Sequence, residues 1–192
     1  VNVSPAIDAV TNSGPVDEGS SVTITVSASD PAGANDPLSY EFDCDNDGTY
    51  EVGPQAANTT ECLFNDDGAK QVNVRVSDGD GGSATGSTSV IVNNVAPVVD
   101  LGDDATIDEG DTFSANGSFS DPGADSWTAT VDYGDGSGAQ ALSLHLNQTF
   151  SLSHTYADNG IYTVTVTVTD DEGDSGTDSL TVTVINVAPT AT

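Results

Sequence analysis

The segment Asp43-Cys44-Asp45-Asn46-Asp47-Gly48-Thr49-Tyr50-Glu51 concentrates the ligand chemistry of this chain. Asp43, Asp45 and Asp47 stand at alternate positions, and Gly48 follows with the freedom to make a sharp turn. Several carboxylate oxygens can then converge on one hard cation such as calcium. An EF-hand is excluded, because Pro54 stands where that loop needs a bidentate glutamate. Two readings stay open. One is a looser calcium turn with Asp43, Asp45, Asp47 and Glu51 as ligands. The other is an Asp-rich hairpin whose side chains bond their own backbone.

Other candidate chemistry is weaker. Asp132 and Asp135 could suggest a pair of glycosidase carboxylates, but a three-residue Gly-rich turn sets no cleft around them. His145 and His154 lack a spacing partner for zinc, no Ser or Cys nucleophile has a recognisable setting, and no Gly-rich phosphate loop precedes a helix. A non-enzymatic protein is expected. Sequons at Asn58, Asn116 and Asn147 are candidate glycosylation positions if the source cell glycosylates; a fourth, at Asn2, is followed by Ser4-Pro5.

Charge narrows the partners. Thirty-one acidic residues face only Lys70 and Arg75, a net charge of −29. Nucleic acid is excluded as a partner, since phosphate binding needs clustered cations. Self-repulsion on this scale calls for screening by salt or divalent cations, and the predominance of Asp favours calcium. No stretch approaches the ~20 apolar residues of a membrane span, so no membrane insertion is expected in this segment. Any export signal or anchor is expected outside it.

The elements that must carry these residues come from a repeat. Asn2-Val3-Ser4-Pro5, Asn94-Val95-Ala96-Pro97 and Asn186-Val187-Ala188-Pro189 start at positions 2, 94 and 186, a period of 92 residues. Within that frame Asp17-Glu18-Gly19 answers Asp108-Glu109-Gly110, and Ser29-Asp30-Pro31 answers Ser120-Asp121-Pro122. Apolar and polar residues alternate in Val22–Val26, Val72–Val76, Val164–Val168 and Leu180–Val184, the mark of strands with one buried face. Turn-forming runs such as Asp78-Gly79-Asp80-Gly81-Gly82 separate them. No amphipathic helix is apparent. The expected fold is all-β: two tandem immunoglobulin-like β-sandwich domains, at residues 1–94 and 95–186, with 187–192 opening a linker or a further repeat.

The repeat also bears on the cysteines. Cys44 and Cys62 align with Tyr133 and His154, so both are replaced together, as touching positions would be. A Cys44–Cys62 disulfide is the expectation, closing about 18 residues and stabilising the first repeat by ~3 kcal/mol; Tyr133 and His154 would then touch in the second. Two free thiols are the alternative. A disulfide would place the chain outside the cytoplasm.

Asp132-Tyr133-Gly134-Asp135-Gly136-Ser137 and the run His154-Thr155-Tyr156…Gly160-Ile161-Tyr162-Thr163-Val164-Thr165-Val166-Thr167-Val168-Thr169-Asp170 together resemble the signature of the PKD domain family. Tyr40-Glu41-Phe42-Asp43, Phe64…Gly68 and Val72 to Asp78 carry the resemblance into the first repeat. The family's usual Trp before the turn is replaced by Phe42 and Val131, with Trp127 near enough to fill core volume. The resemblance implies PKD-type sandwiches of extracellular or cell-surface proteins. It also implies calcium near the interdomain linker, carried here onto Asn2 or Asn94 and the Asp30 or Asp121 turn. The implied function is a semi-rigid spacer in the repeat array of a surface, fibre or adhesin protein. Its partners would be neighbouring repeats, copies of itself, surface glycans or other matrix proteins. The alternative is an accessory module that helps a secreted hydrolase engage polysaccharide or fibrous protein.

Overall fold

The computed structural model describes residues 2–188, so Pro189 of the third tetrapeptide and the rest of the expected 187–192 segment beyond Ala188 lie outside the described residues. The chain falls into two units, the first running up to Asn94 and counting Pro122–Ala124 with it, the second comprising Val95–Asp121 and the chain from Asp125 onward.

Strands form over the four alternating runs and over further segments that carry no such run. In unit 1 these are β1 (Ala6–Asn12), β2 (Val16–Asp17), β3 (Ser20–Ser29), β4 (Ser39–Asp43), β5 (Val52–Gln55), β6 (Thr59–Phe64), β7 (Gly68–Ser77) and β8 (Ser83–Asn93). Unit 2 contains β9 (Val98–Asp100), β10 (Ala105–Asp108), β11 (Thr112–Ser120), β12 (Thr128–Asp132), β13 (Gln140–Leu142), β14 (Thr149–Thr155), β15 (Gly160–Thr169) and β16 (Ser175–Ile185). Among the described residues the only helical turn is the three-residue 3₁₀ turn Gly33–Asn35.

Both units are two-sheet sandwiches with the same topology. In unit 1 the strand orders are β1-β3-β6 and β2-β8-β7-β4-β5; in unit 2 they are β9-β11-β14 and β10-β16-β15-β12-β13. Each strand of one unit therefore has a counterpart in the other, which is what the 92-residue period requires. Neighbouring strands are antiparallel except that β2 pairs parallel with β8, and β10 with β16.

The period-two pattern explains the cores. Val22, Ile24 and Val26 of β3, with Cys62 and Phe64 of β6, face Phe42 of β4, Val72, Val74 and Val76 of β7, and Val90 and Val92 of β8. Their intervening Thr, Ser, Asn and Arg neighbours turn to the outer faces. Unit 2 uses Phe113, Phe119, Phe150, Leu152, Val164, Val166, Val168, Leu180, Val182 and Val184 in the same way. Gly117 sits opposite Phe150 in the β11–β14 ladder. A Cβ there would meet the Phe150 ring, so the absent side chain lets the ring lie over the strand. Phe42 and Val131 fill the positions before the turns from within the core, and Trp127 packs at its margin edge-on to Phe119, with ring centroids 5.3 Å apart.

Candidate cation sites

The β4–β5 hairpin presents the Asp-rich segment. β4 delivers Asp43 at its last position, and residues 44–51 form the loop before β5. Gly48 adopts φ 92°, a backbone conformation that strains side-chain-bearing residues and turns the loop back on itself. Local side-chain bonds hold its shape. Asp43 Oδ2 accepts from the Gly48 N–H at 3.1 Å, Asp45 Oδ1 from the Asp47 N–H at 3.2 Å, and Asp47 Oδ1 from the Thr49 N–H at 2.7 Å. Glu51 reaches back across the loop, its Oε2 accepting from the Cys44 N–H at 3.0 Å.

The side chains do bond their own backbone, and one oxygen from each of Asp43, Asp45, Asp47 and Glu51 lies within 4.8 Å of the others. The Cys44–Cys62 disulfide forms, with Cα atoms 5.6 Å apart, and ties the hairpin to β6 across the sandwich. In unit 2 the aligned Tyr133 and His154 rings stack with centroids 4.2 Å apart.

The equivalent turn of unit 2 is chemically different. Asp132 Oδ1 accepts from the Gly134 N–H at 2.8 Å, Asp135 Oδ1 from the Ser137 N–H at 2.9 Å, and Asp135 Oδ2 lies 2.9 Å from His154 Nε2. Hydrogen bonds from Ser137, then from His154, hold the Asp135 carboxyl below the usual range. Beneath it, the Tyr156 hydroxyl donates to the Tyr133 carbonyl at 2.9 Å. Burial, reinforced by the charge of Asp135, pushes the Tyr156 hydroxyl up to about 12.

A second acidic group forms elsewhere in unit 1. Asp30 comes together with Asp36, which follows the 3₁₀ turn, and with Asp78, which follows β7. Asp78 is buried; its Oδ2 accepts from Asn2 Nδ2 at 2.9 Å and its Oδ1 from the N–H groups of Asp80 and Gly82. The Asn2 bond holds the Asp78 carboxyl below its usual range. Burial, then the nearby charge of Asp78, raises that of Asp36. Asn2 and Asp30 both adjoin Asp78, and Asp36 completes the group. Asp78 had a signal, since it closes a strand and opens a glycine-rich turn. Asp36 had none, because its approach depends on the tertiary path of the 3₁₀ turn.

The other candidates are placed as follows. Asn94 is half-buried at the end of unit 1, and Asp121 accepts from Trp127 Nε1 at 3.2 Å and joins no acidic group among the described residues. In unit 2, Asp125, Asp171 and Glu172 form a further group. The sequon residues Asn58, Asn116 and Asn147 are all exposed, and the Asn58 side chain also donates to the Val26 carbonyl at 2.8 Å.

Comparison with known proteins follows the same division into two units. The model of the PKD domain matches residues 2–92 and again 94–184. The chain belongs to the PKD domain family. Among solved structures, part of the chain is similar to the PKD domain of an M14-like peptidase from Thermoplasmatales archaeon SCGC AB-540-F20, at 22% identity and a TM-score of 0.42, covering 48% of this chain and 98% of that one. The PKD1 domain of Vibrio anguillarum Epp is 27% identical with a TM-score of 0.38, over 50% of this chain and all of its own. An I-band fragment of titin spans 97% of this chain and 67% of its own at 16% identity, with a TM-score of 0.42. No curated protein sequence matches the chain. Tandem PKD and immunoglobulin-like sandwiches suggest structural or interaction modules, and PKD domains and disulfides are typical of extracellular proteins.

Proposed function

We propose that the two PKD units are consecutive members of an extracellular repeat array, serving as semi-rigid spacers in a surface, fibre or adhesin protein. The carrying observation is the exact repetition of sheet order at a 92-residue period with only Asn94, Val95, Ala96 and Pro97 between β8 and β9. Four residues, one of them a proline with fixed φ, leave a joint little length over which to flex. The disulfide supports an oxidising setting, and the acidic surface discourages unspecific association while leaving room for contacts with copies of the chain, glycans or matrix proteins. No residue has a catalytic role in this reading.

Calcium belongs to the same proposal. Asn2, Asp30, Asp36 and Asp78 offer hard oxygen donors close to the start of unit 1, and Asp30 Oδ2 is buried without a hydrogen-bond partner. An ion there would fix the entering chain to the 3₁₀ turn and the end of β7.

Small-angle scattering tests the spacer. Inserting a flexible Gly-Ser stretch between Ala96 and Pro97 should broaden the distribution of interatomic distances in solution; an unchanged distribution would mean that the joint was already loose. Pull-down on insoluble polysaccharide or fibrous protein, retained in high salt, would favour an accessory module of a secreted hydrolase instead.

A further inference from the structure

We propose that the β4–β5 hairpin of unit 1 is a calcium site, ligated by Asp43, Asp45, Asp47 and Glu51 and held ready by the Cys44–Cys62 disulfide.

The decisive observation is Asp43. This residue is only 1% exposed, and although its Oδ2 accepts from Gly48 and Asn73, its Oδ1 is buried with no hydrogen-bond partner. A carboxylate oxygen withdrawn from water and left unpaired is costly unless a charge meets it. That carboxylate belongs to the four whose oxygens lie within 4.8 Å of one another. Like charges at that spacing repel, so something must hold them together.

The chain's own cations do not serve this purpose. Lys70 pairs with Asp66 at 2.8 Å, and Arg75 pairs with Glu41 through both guanidinium and carboxylate ends. Those are the only Lys and Arg in the chain, and both histidines belong to unit 2. Unit 2 shows the contrast: in its shorter turn Asp135 Oδ2 lies 2.9 Å from His154 Nε2, so a side chain of the fold meets that carboxylate. In unit 1 the disulfide occupies the place of that imidazole, and the hairpin has gained carboxylates without gaining a counter-charge.

The donor set specifies the ion. Four carboxylates on a short, adaptable loop suit calcium, which accepts six to eight oxygens in irregular geometry and takes water for the remainder; magnesium demands a stricter octahedron and keeps its waters. The disulfide has a defined part. Cys44 lies between Asp43 and Asp45, its N–H holds Glu51 Oε2, and its sulfur is bonded to buried Cys62 on β6. Fixing Cys44 therefore fixes the ligands on either side of it and the glutamate across the loop, as supporting residues do around metal ligands.

Calorimetric calcium titration of the full chain at physiological ionic strength tests this. The comparison uses D45N/D47N, whose exposed asparagines keep the oxygens that accept the loop N–H bonds, and D30N, which alters only the other unit 1 group. Wild type should show a saturable event with Kd on the order of 10⁻⁴ to 10⁻³ M, the range of extracellular modules. D45N/D47N should weaken that event by about tenfold or more, while D30N leaves it in place. Reduction of the disulfide, with circular dichroism confirming the sandwich, should weaken it by roughly tenfold as well. Equal binding by D45N/D47N and wild type, or only non-saturable uptake by wild type, would overturn the proposal. A spacer reading that fails in scattering leaves these outcomes unaffected.

Discussion

Loss of the Cys44–Cys62 bond should destabilise unit 1 and leave unit 2 untouched. The bond spans 18 residues in sequence, for which the chain-entropy treatment gives about 3 kcal/mol at room temperature. For a domain of this size that corresponds to a fall of roughly 12–24 °C in midpoint. Replacing both cysteines by alanine should cost more than reduction, because Cys62 lies in the core between the sheets and its truncation leaves a void. The chain carries its own control. Trp127 is the sole tryptophan and packs on the core of unit 2, so its fluorescence during denaturant unfolding reports that unit. Amide exchange along β7, the central strand of the larger unit 1 sheet, reports the other. The expected result is an unchanged Trp127 transition together with protection in β7 reduced by about 3 kcal/mol. A loss below about 1 kcal/mol in β7, or a parallel fall in the Trp127 transition, would refute the reasoning.

Two further predictions concern unit 2. Tyr156→Phe removes the donor to the buried Tyr133 carbonyl and should cost about 1–3 kcal/mol in the Trp127-monitored transition. Because the folded state raises the Tyr156 hydroxyl to about 12, its contribution is complete below the ordinary tyrosine value of about 10 and is lost as pH rises through about 12. Ultraviolet titration should show this tyrosine ionising late, and an early, reversible ionisation in the folded protein would contradict it. Asp135 behaves oppositely: its lowered value stabilises unit 2 above the usual carboxylate range, and that stability is lost as pH falls through the folded value. Asp135→Asn should therefore lower neutral-pH stability by less than about 1 kcal/mol and flatten the acid limb; an acid limb identical to wild type would exclude a role for the Ser137 and His154 contacts.

Local chemistry was legible and long-range assembly was not. The alternation in Val72–Val76 and Val164–Val168 already announced the core strands, since a period of two has one physical meaning on a pleated sheet. β1 and β9 carry no comparable run: Ala6–Asn12 buries little along its length, so nothing in Ala-Ile-Asp-Ala-Val-Thr-Asn marks its pairing with β3. The same distinction divides the acidic groups. Asp43 to Glu51 meet because nine consecutive residues turn back on themselves. Asp36 and Asp78 meet only because β4 and β7 are neighbours in the sheet, and the alternation does not encode which strands become neighbours. The cysteine pair was legible for another reason: the repeat supplied a second copy in which both positions are replaced together, by Tyr133 and His154.

The parallel pairing of β2 with β8 has a mechanical consequence. Val16 and Asp17 lie beside Val92 and Asn93, and the Glu18 N–H bonds the Asn93 carbonyl at 3.0 Å; in unit 2 the same arrangement extends over four residues, Ala105 to Asp108 against Val182 to Ile185. Each unit thus fastens a strand near its entry to the strand at its exit, both pointing the same way. Tension along the chain pulls such a pair in opposite senses along its own axis. Its hydrogen bonds are sheared together, where an antiparallel hairpin would be unzipped one rung at a time. Tension applied between the ends of either sandwich would load this seam in shear, and the seam is the longer one in unit 2.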